Sequence, residues 1–448
     1  MNLTDKFIDS LYDLSKSTFP DAVVHQAKRC LLDYLGATFA GAKMLESKGN
    51  QLLNFLGNSG NEVSVIGFNH RDSLQNAVFL NGLSAHIAEF DDGSRFGAIH
   101  PGAPIISALL PLAEKENIPG SKLITGIIIG YEAAIRLASS IQPSHNESGF
   151  HPTGTCGAIG AAMGIAAMLG FSRSQMKDAF STAAVSASGT LKAVEDGSEL
   201  KPFNAGKAAL TGLFAAMMAR SGFKGNDDVL SGKHGFMALM SKQHDNSWLE
   251  IKDGDQFCIE RVYFKPFASC RHTHPAVEAT IKIRFQNDIS VSEIKTIKVI
   301  TYKGVLSNHG HTDVRGIASA KMSVPYSVAV SFIKGKAGLD SFTDELVNDS
   351  EIIRLMKKIV IIEDDLITSL VPEKRAAIVE IITEKGVVFK ERVDLAKGEP
   401  ETPLSDYEID EKFIGLAEYG NKTKNEILEI IKIVWNLENE YSNLYDYL

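Results

Sequence analysis

The run "GTCGAIGAAMGIAAMLG" (154–170) holds no charged residue and is dense in Gly and Ala. A second run, "NAGKAALTGLFAAMMARSG" (204–222), has the same texture. Small residues let helix backbones approach closely, so both runs predict buried helices in a tightly packed helical body. Charged segments bracket each run. No uninterrupted apolar stretch reaches the roughly 18 residues of a membrane span. "DAVVHQAKRCLLDYLGATFAGA" (21–42) and "DSLQNAVFLNGLSAHIAEF" (72–90) add two more helices by their apolar spacing, the second opening on Asp72 as its cap.

The texture changes after about residue 265. "EIKTIKVITYKG" (293–304), "KKIVIIED" (357–364) and "AAIVEIITEKGVVFKERV" (376–393) are rich in Ile, Val and Thr. The last contains "EKG", a hairpin-turn signal. "SAKMSVPYSVAVSFIKGK" and "SEIIRLMKK" read as helices between them, and two further helices follow, "PLSDYEIDEKFIGLAEYG" and "TKNEILEIIKIVWNLEN". The fold class is mainly α. A large all-helical domain (1–265 with 396–448) is expected beside a smaller α+β domain (266–395).

With 448 residues the chain exceeds one ordinary core. Its net charge of −9 argues against a nucleic-acid partner. The four cysteines, Cys30, Cys156, Cys258 and Cys270, are too scattered for a disulfide framework or a zinc site. "MNLTDKFIDSLYDLSKS" carries charges where a signal peptide needs an apolar run, so a cytoplasmic protein with no membrane partner is expected.

Four segments set polar residues beside the small-residue helices. "AEFDDGSRFGAIHPG" (88–102) holds Glu89, Asp91, Asp92, Arg95 and His100. His151 precedes the Gly-rich run, where exposed backbone N–H groups favour an anion. Lys201 and Lys207 flank the start of the second run, and "YFKPFASCRHTHPAVEA" (263–279) holds Lys265, Cys270, Arg271, His272 and His274. There is no G-x-G-x-x-G after a strand, no Walker lysine, no G-x-S-x-G and no metal-ligand spacing. Lysine and arginine can hold carboxylates, while a histidine or carboxylate removes a proton beside them. That combination suits elimination or epimerisation of a small di- or tricarboxylic acid.

Simpler readings stand beside this one. The acids at 89–92 also fit a solvated helix end, and a helix would turn at most one of the adjacent Asp91 and Asp92 inward. Arg95, Lys201 and Lys207 fit surface positions. Cys270 fits a buried small hydrophobe. His309 and His311 in "NHGHTD" read as loop residues.

Five segments taken in order resemble the MmgE/PrpD family: "HIAEFDDGSRFGAIHPGAPIISALLPLAE", "GFHPTGTCGAIGAA", "LKPFNAGKAALTGLFAAMMARSGFKG", "KPFASCRHTHPAVEA" and "KGEPETPLSDYEIDEKF". That family includes 2-methylcitrate dehydratases, cis-aconitate decarboxylases and iminodisuccinate epimerase. The resemblance implies a helical domain completed by the C-terminal helices, an α+β lid, a homodimer, a site between the two domains and no cofactor or metal. It also implies site residues. The acid is Glu89 or one of Asp91 and Asp92. The histidines are His100 and His151, the lysines Lys201 and Lys265, and the tyrosine Tyr326. Four positions depart from the decarboxylase pattern. Glu89 replaces an aspartate, Gly93 a threonine, Asn204 a histidine and Cys270 a histidine.

The expected function is therefore a cofactor-independent lyase of the 2-methylcitrate dehydratase type. An epimerase of an iminodisuccinate-like acid and a non-catalytic polycarboxylate-binding protein are the alternatives. His100, His151, Cys270, Asp91 and Lys201 form the expected catalytic set. His151 or Cys270 is the base, and His100 its acid partner. Glu89, Asp92, Arg95, Lys265, Arg271, His274 and Tyr326 form the expected substrate-binding set.

Overall fold

In the computed structural model, residues 1–57, 60–195, 197–252 and 254–448 are described. The chain forms two compact bodies. Met1–Lys192, Leu200–Tyr263 and Ser405–Leu448 make the first; Ala193–Glu199 and Phe264–Leu404 make the second. The fold is mainly α, and among the described residues the strands form two small sheets.

The first body opens with α1 (Leu3–Lys16) and the long α2 (Asp21–Leu56). A short antiparallel pair follows, β1 (Val63–Val65) with β2 (His70–Asp72), in a region that reads as pure helix from sequence. Then come α3 (Leu74–Ile87), α4 (Gly102–Glu116), α5 (Gly120–Ile141) and α6 (Ser144–Glu147). They are followed by α7 (Pro152–Met168), α8 (Arg173–Ser186), α9 (Lys201–Arg220) and α10 (Phe236–Met240). The cap of α3 is Ser73, whose hydroxyl accepts the Asn76 N–H, and not Asp72, which ends β2.

Every residue of α7 is buried. Glycine makes this possible by letting α5 and α7 touch backbone to backbone. A β-carbon on Gly160 would lie 2.6 Å from the Ala134 β-carbon and 2.8 Å from the Gly130 carbonyl oxygen. One on Gly164 would lie 2.8 Å from the Gly126 carbonyl oxygen. The crossing of α3 with α9 uses the same device at Gly82 and Gly206, where a β-carbon on Gly82 would meet the Gly206 Cα at 2.6 Å. Helix α5 is long and apolar enough to cross a membrane, but 94% of its apolar window is buried within this body.

The second body contains α11 (His274–Gln286), β3 (Ile294–Thr301), α12 (Lys303–His309), α13 (Ile317–Met322) and α14 (Val324–Lys334). It continues through α15 (Asp344–Val347), α16 (Ser350–Met356), β4 (Ile359–Glu363), α17 (Asp365–Thr368), β5 (Ala377–Thr383) and β6 (Val388–Val393). The sheet order is β4-β3-β5-β6. β3 runs parallel to β4 and antiparallel to β5, and β5 forms a hairpin with β6 across the "EKG" turn. Alternation sets the buried face, where Ile297 pairs with Ile381 and Val299 with Val379. The chain then returns to the first body as α18 (Asp406–Tyr419), α19 (Lys424–Trp435) and α20 (Leu437–Glu440).

The glycine contacts give a test. Gly160→Ala is expected to cost about 1–3 kcal/mol in urea unfolding, because neither neighbour can retreat. Gly415→Ala, in the interior of α18 with open space around it, is expected to be neutral or stabilising by up to about 1 kcal/mol.

Candidate active site

The polar residues of the first body collect at helix ends. Helix α3 stops at Ile87, and Glu89 takes a left-handed backbone conformation (φ 55°) that few non-glycine residues adopt. The chain therefore leaves helical geometry before the two aspartates. Both Asp91 and Asp92 are buried, whereas a continued helix would have turned one outward. The reading of this segment as a solvated helix end does not hold.

Each acid has a different partner. Glu89 is paired with Lys201 at the start of α9, Nζ lying 2.5 and 2.6 Å from its two carboxylate oxygens, and both residues are buried. Asp91 Oδ2 lies 2.7 Å from His86 Nδ1 and 3.6 Å from His100 Nδ1. Asp92 is an anchor. Its Oδ1 accepts the Gly102 N–H at the start of α4, and its Oδ2 accepts the Tyr131 hydroxyl at 2.7 Å. Burial, with Asp33 nearby, pushes the Asp92 carboxyl up to about 8. Gly93 is fixed by packing, since a β-carbon there would sit 2.4 Å from the Tyr263 hydroxyl.

The histidines differ in which nitrogen carries the proton. His100 Nδ1 lies 2.7 Å from the Asp92 carbonyl oxygen, which can only accept. Nδ1 therefore holds the proton, and in the neutral ring Nε2 is bare. His151 is the opposite case. The Asn204 amide nitrogen lies 3.0 Å from His151 Nδ1 and 3.4 Å from the Thr190 carbonyl oxygen. The carbonyl requires the amide nitrogen on that side, so it donates to Nδ1 and leaves the His151 proton on Nε2. Burial, reinforced by His86 and Lys201, holds His151 well below the ordinary histidine range, so it is neutral. His100 therefore has an unprotonated Nε2 and His151 an Nε2–H, whereas the sequence reading has His151 or Cys270 as the base and His100 as the acid partner.

His86 was not singled out in the sequence, although it lies in the quoted segment. Its ring centroid is 4.9 Å from that of His100 and 6.1 Å from that of His151. It is fully buried, and its Nε2 has no hydrogen-bond partner among the described residues. Asn204, a departure from the family pattern, proves to be what orients His151. Arg95 is buried with its guanidinium over the Phe96 ring at 4.8 Å. Lys207 donates to the Ser188 hydroxyl at 2.6 Å.

In the second body Lys265 is fully buried. Arg271 does not present a free fork to a carboxylate. Its Nε donates to Glu399 Oε1 at 2.9 Å, and its other nitrogens reach His274 Nδ1 and the carbonyls of Ala396 and Lys397. His274 closes this network through Nε2 to the Ser269 carbonyl at 3.1 Å. The Tyr326 hydroxyl donates to the Ser341 carbonyl, and the ring is buried. Arg271, His274 and Tyr326, expected to bind substrate, are each held by hydrogen bonds within this body. Cys270 is half-buried beside His309, which ends α12 instead of lying in a loop. Although no metal spacing is visible in the sequence, His86–Asp91–His100 and Cys270–His272–His309 each bring ligand-type atoms within 4.8 Å of one another.

Residues 6–249 match the MmgE/PrpD N-terminal domain, and residues 267–437 match the MmgE/PrpD C-terminal domain. The chain belongs to the MmgE/PrpD family. It is 26% identical to human cis-aconitate decarboxylase over 98% of this chain and 92% of that protein. It is 24% identical to the mitochondrial 2-methylcitrate dehydratase of Yarrowia lipolytica over 87% of this chain and 79% of that protein. It is 26% identical to the 2-methylcitrate dehydratase of Salmonella typhimurium over 62% and 59%. Decarboxylases and dehydratases are both lyases, so this MmgE/PrpD chain sits among lyases.

Neutral buried histidines make stability depend on pH. His145, on α6, lies between the Met240 carbonyl and the Thr155 hydroxyl, and burial holds it at about 4. Below about pH 6.5 the unfolded chain binds a proton that the folded chain refuses, so stability falls as pH drops. Asp92 acts with the opposite sign, so the informative quantity is the difference between wild type and His145→Gln. Between pH 7 and pH 5 that difference is expected to shift by about 2 kcal/mol in favour of the variant in urea titrations.

Proposed function

We propose that this MmgE/PrpD chain is a cofactor-independent lyase that removes water from a small tricarboxylic acid of the 2-methylcitrate type. The observation that carries the reading is the pair of opposed histidines, His100 with a bare Nε2 and His151 with a neutral Nε2–H. The relatives named above act on aconitate or methylcitrate, which supports the substrate class.

The chemistry follows from the protonation states. Loss of a proton from a carbon next to a carboxylate puts negative charge on that carboxylate. His100 Nε2 takes the proton, and Asp91, 3.6 Å from its other nitrogen, stabilises the imidazolium that forms. A neutral imidazole is too weak an acid to give up its N–H outright, but it is an effective hydrogen-bond donor to developing negative charge. His151 plays that part. The carbon–carbon double bond forms as the carbon–oxygen bond breaks. The proton held by His100 passes to the departing hydroxyl, so one water leaves and the enzyme is restored.

Lys201 is the cation that holds a substrate carboxylate, in exchange for Glu89. Dehydration is favoured over decarboxylation by the departures at Gly93, Asn204 and Cys270 from the decarboxylase pattern.

The test is NMR in D₂O with 2-methylcitrate, citrate, cis-aconitate and iminodisuccinate. The expected result is an unsaturated product from 2-methylcitrate or citrate, with enzyme-dependent deuterium uptake at the α-carbon. Loss of carbon dioxide would make the chain a decarboxylase. Inverted configuration without an alkene would make it an epimerase. Binding without exchange or turnover would leave a binding protein. With the accepted substrate, His100→Asn is expected to lower kcat by about 10²- to 10⁴-fold and to abolish α-deuterium exchange. Lys201→Ala is expected to act mainly on KM.

A further inference from the structure

We infer that Cys270 and His309 form a thiol–imidazole pair in the second body, in which the sulfur gives its proton to Nε2 of His309.

The geometry fixes both partners. Cys270 caps a short 3₁₀ turn (Arg271–Thr273), and its N–H is bound to the Lys321 carbonyl at 2.9 Å. His309 Nδ1 lies 2.9 Å from the Met322 carbonyl oxygen. A carbonyl only accepts, so Nδ1 carries the ring proton and Nε2 presents a lone pair. That Nε2 lies 4.0 Å from Cys270 Sγ. A base beside a thiol, itself oriented by a third group, is the arrangement that activates a sulfur nucleophile. The transfer moves one proton from Sγ to Nε2 and leaves a thiolate beside an imidazolium.

The surroundings suit the charged pair. The His272 ring stacks on His309 with centroids 4.7 Å apart, and Tyr302 holds His272 Nδ1 at 2.5 Å. Burial pushes the Tyr302 hydroxyl up, so it stays protonated. Arg271 and Glu399 neutralise one another, and His274 is neutral within their network. Arg375 lies within electrostatic range of Tyr302, and it is the carbonyl of the buried Lys321 that accepts the Cys270 N–H. The product is a soft nucleophile and base on a half-buried surface, fitted to electrophilic carbon or to oxidants.

The other three thiols do not compete. Cys30, Cys156 and Cys258 are buried, and burial pushes all three up, Cys156 to about 12. Alkylation therefore reports on Cys270. The experiment uses the full chain with iodoacetamide and a metal chelator, from pH 6 to 9.5. The sulfur–carbon bond forms as carbon–iodine breaks and iodide leaves, and peptide mass spectrometry locates the adduct. N-acetylcysteine is the reference thiol.

The wild-type rate is expected to be nearly flat with pH. At pH 6 it should exceed that of the reference by about tenfold or more. His309→Gln should lower the pH 6 rate by about tenfold or more and converge with wild type above pH 9. His272→Gln should change it little. A wild-type rate that climbs with pH as the reference does would overturn the inference without any variant. So would identical profiles for wild type and a folded His309→Gln. Either result leaves the dehydratase reading untouched, because that reading rests on the first body.

Discussion

The contact that everything in the first body depends on is backbone against backbone, where α5 meets α7 through Gly126, Gly130, Gly160 and Gly164. Protein interiors are close-packed, so a helix with no outward face must be met on every side by matching surfaces. Helix α7 is such a helix, and its N-terminus begins just after His151. The second glycine crossing, Gly82 against Gly206, sits four residues before His86 on α3 and five after Lys201 on α9. The reactive groups are thus placed by contacts between helix axes. Side chains at the ends of these helices inherit the precision of the crossings.

Much of this was legible in the sequence, for a physical reason. Runs of Gly and Ala report close approach directly, and β-branched alternation reports a sheet face. The segments that carry polar residues beside such runs were therefore found. What periodicity misreads is the point where it stops. Asp91 and Asp92 both turn inward because the chain breaks from helix at Glu89, a residue with no intrinsic preference for a left-handed turn. The commitment of Arg271 to Glu399 spans 128 positions and leaves no local trace. His309 resembled a loop residue because "NHGHTD" is polar, yet it closes a helix with its ring turned inward. Protonation is a further step removed. Whether His100 or His151 presents a lone pair is decided by the Asp92 carbonyl and the Asn204 amide, and a sequence does not show which way these point.

The two bodies handle charge in contrasting ways. In the second, Arg271 is enclosed by a carboxylate, a histidine and two carbonyls, so its charge is fully committed to holding loops in place. In the first, the imidazoles of His86 and His100 share one neighbouring carboxylate, Asp91, and a third, His151, is kept neutral by burial. A committed ion pair resists change, whereas imidazoles as a class are suited to passing protons near neutral pH.

The pairing of Glu89 with Lys201 has a consequence for what the site can recognise. A buried lysine with a carboxylate already in place is not a general receptor for anions. Parting the two leaves a desolvated charge behind unless a replacement arrives with equal or better geometry. If Lys201 holds a substrate carboxylate as proposed, Glu89 is an occupant that the ligand must outcompete at that position. A monocarboxylate gains nothing by the exchange, since it substitutes one carboxylate for another. A ligand with further carboxylates, gripped elsewhere, recovers the cost from those additional contacts. Under the proposed function, the ion pair in this way sets a minimum number of charges for admission, and a selectivity for polyacids would follow from a glutamate in the protein itself.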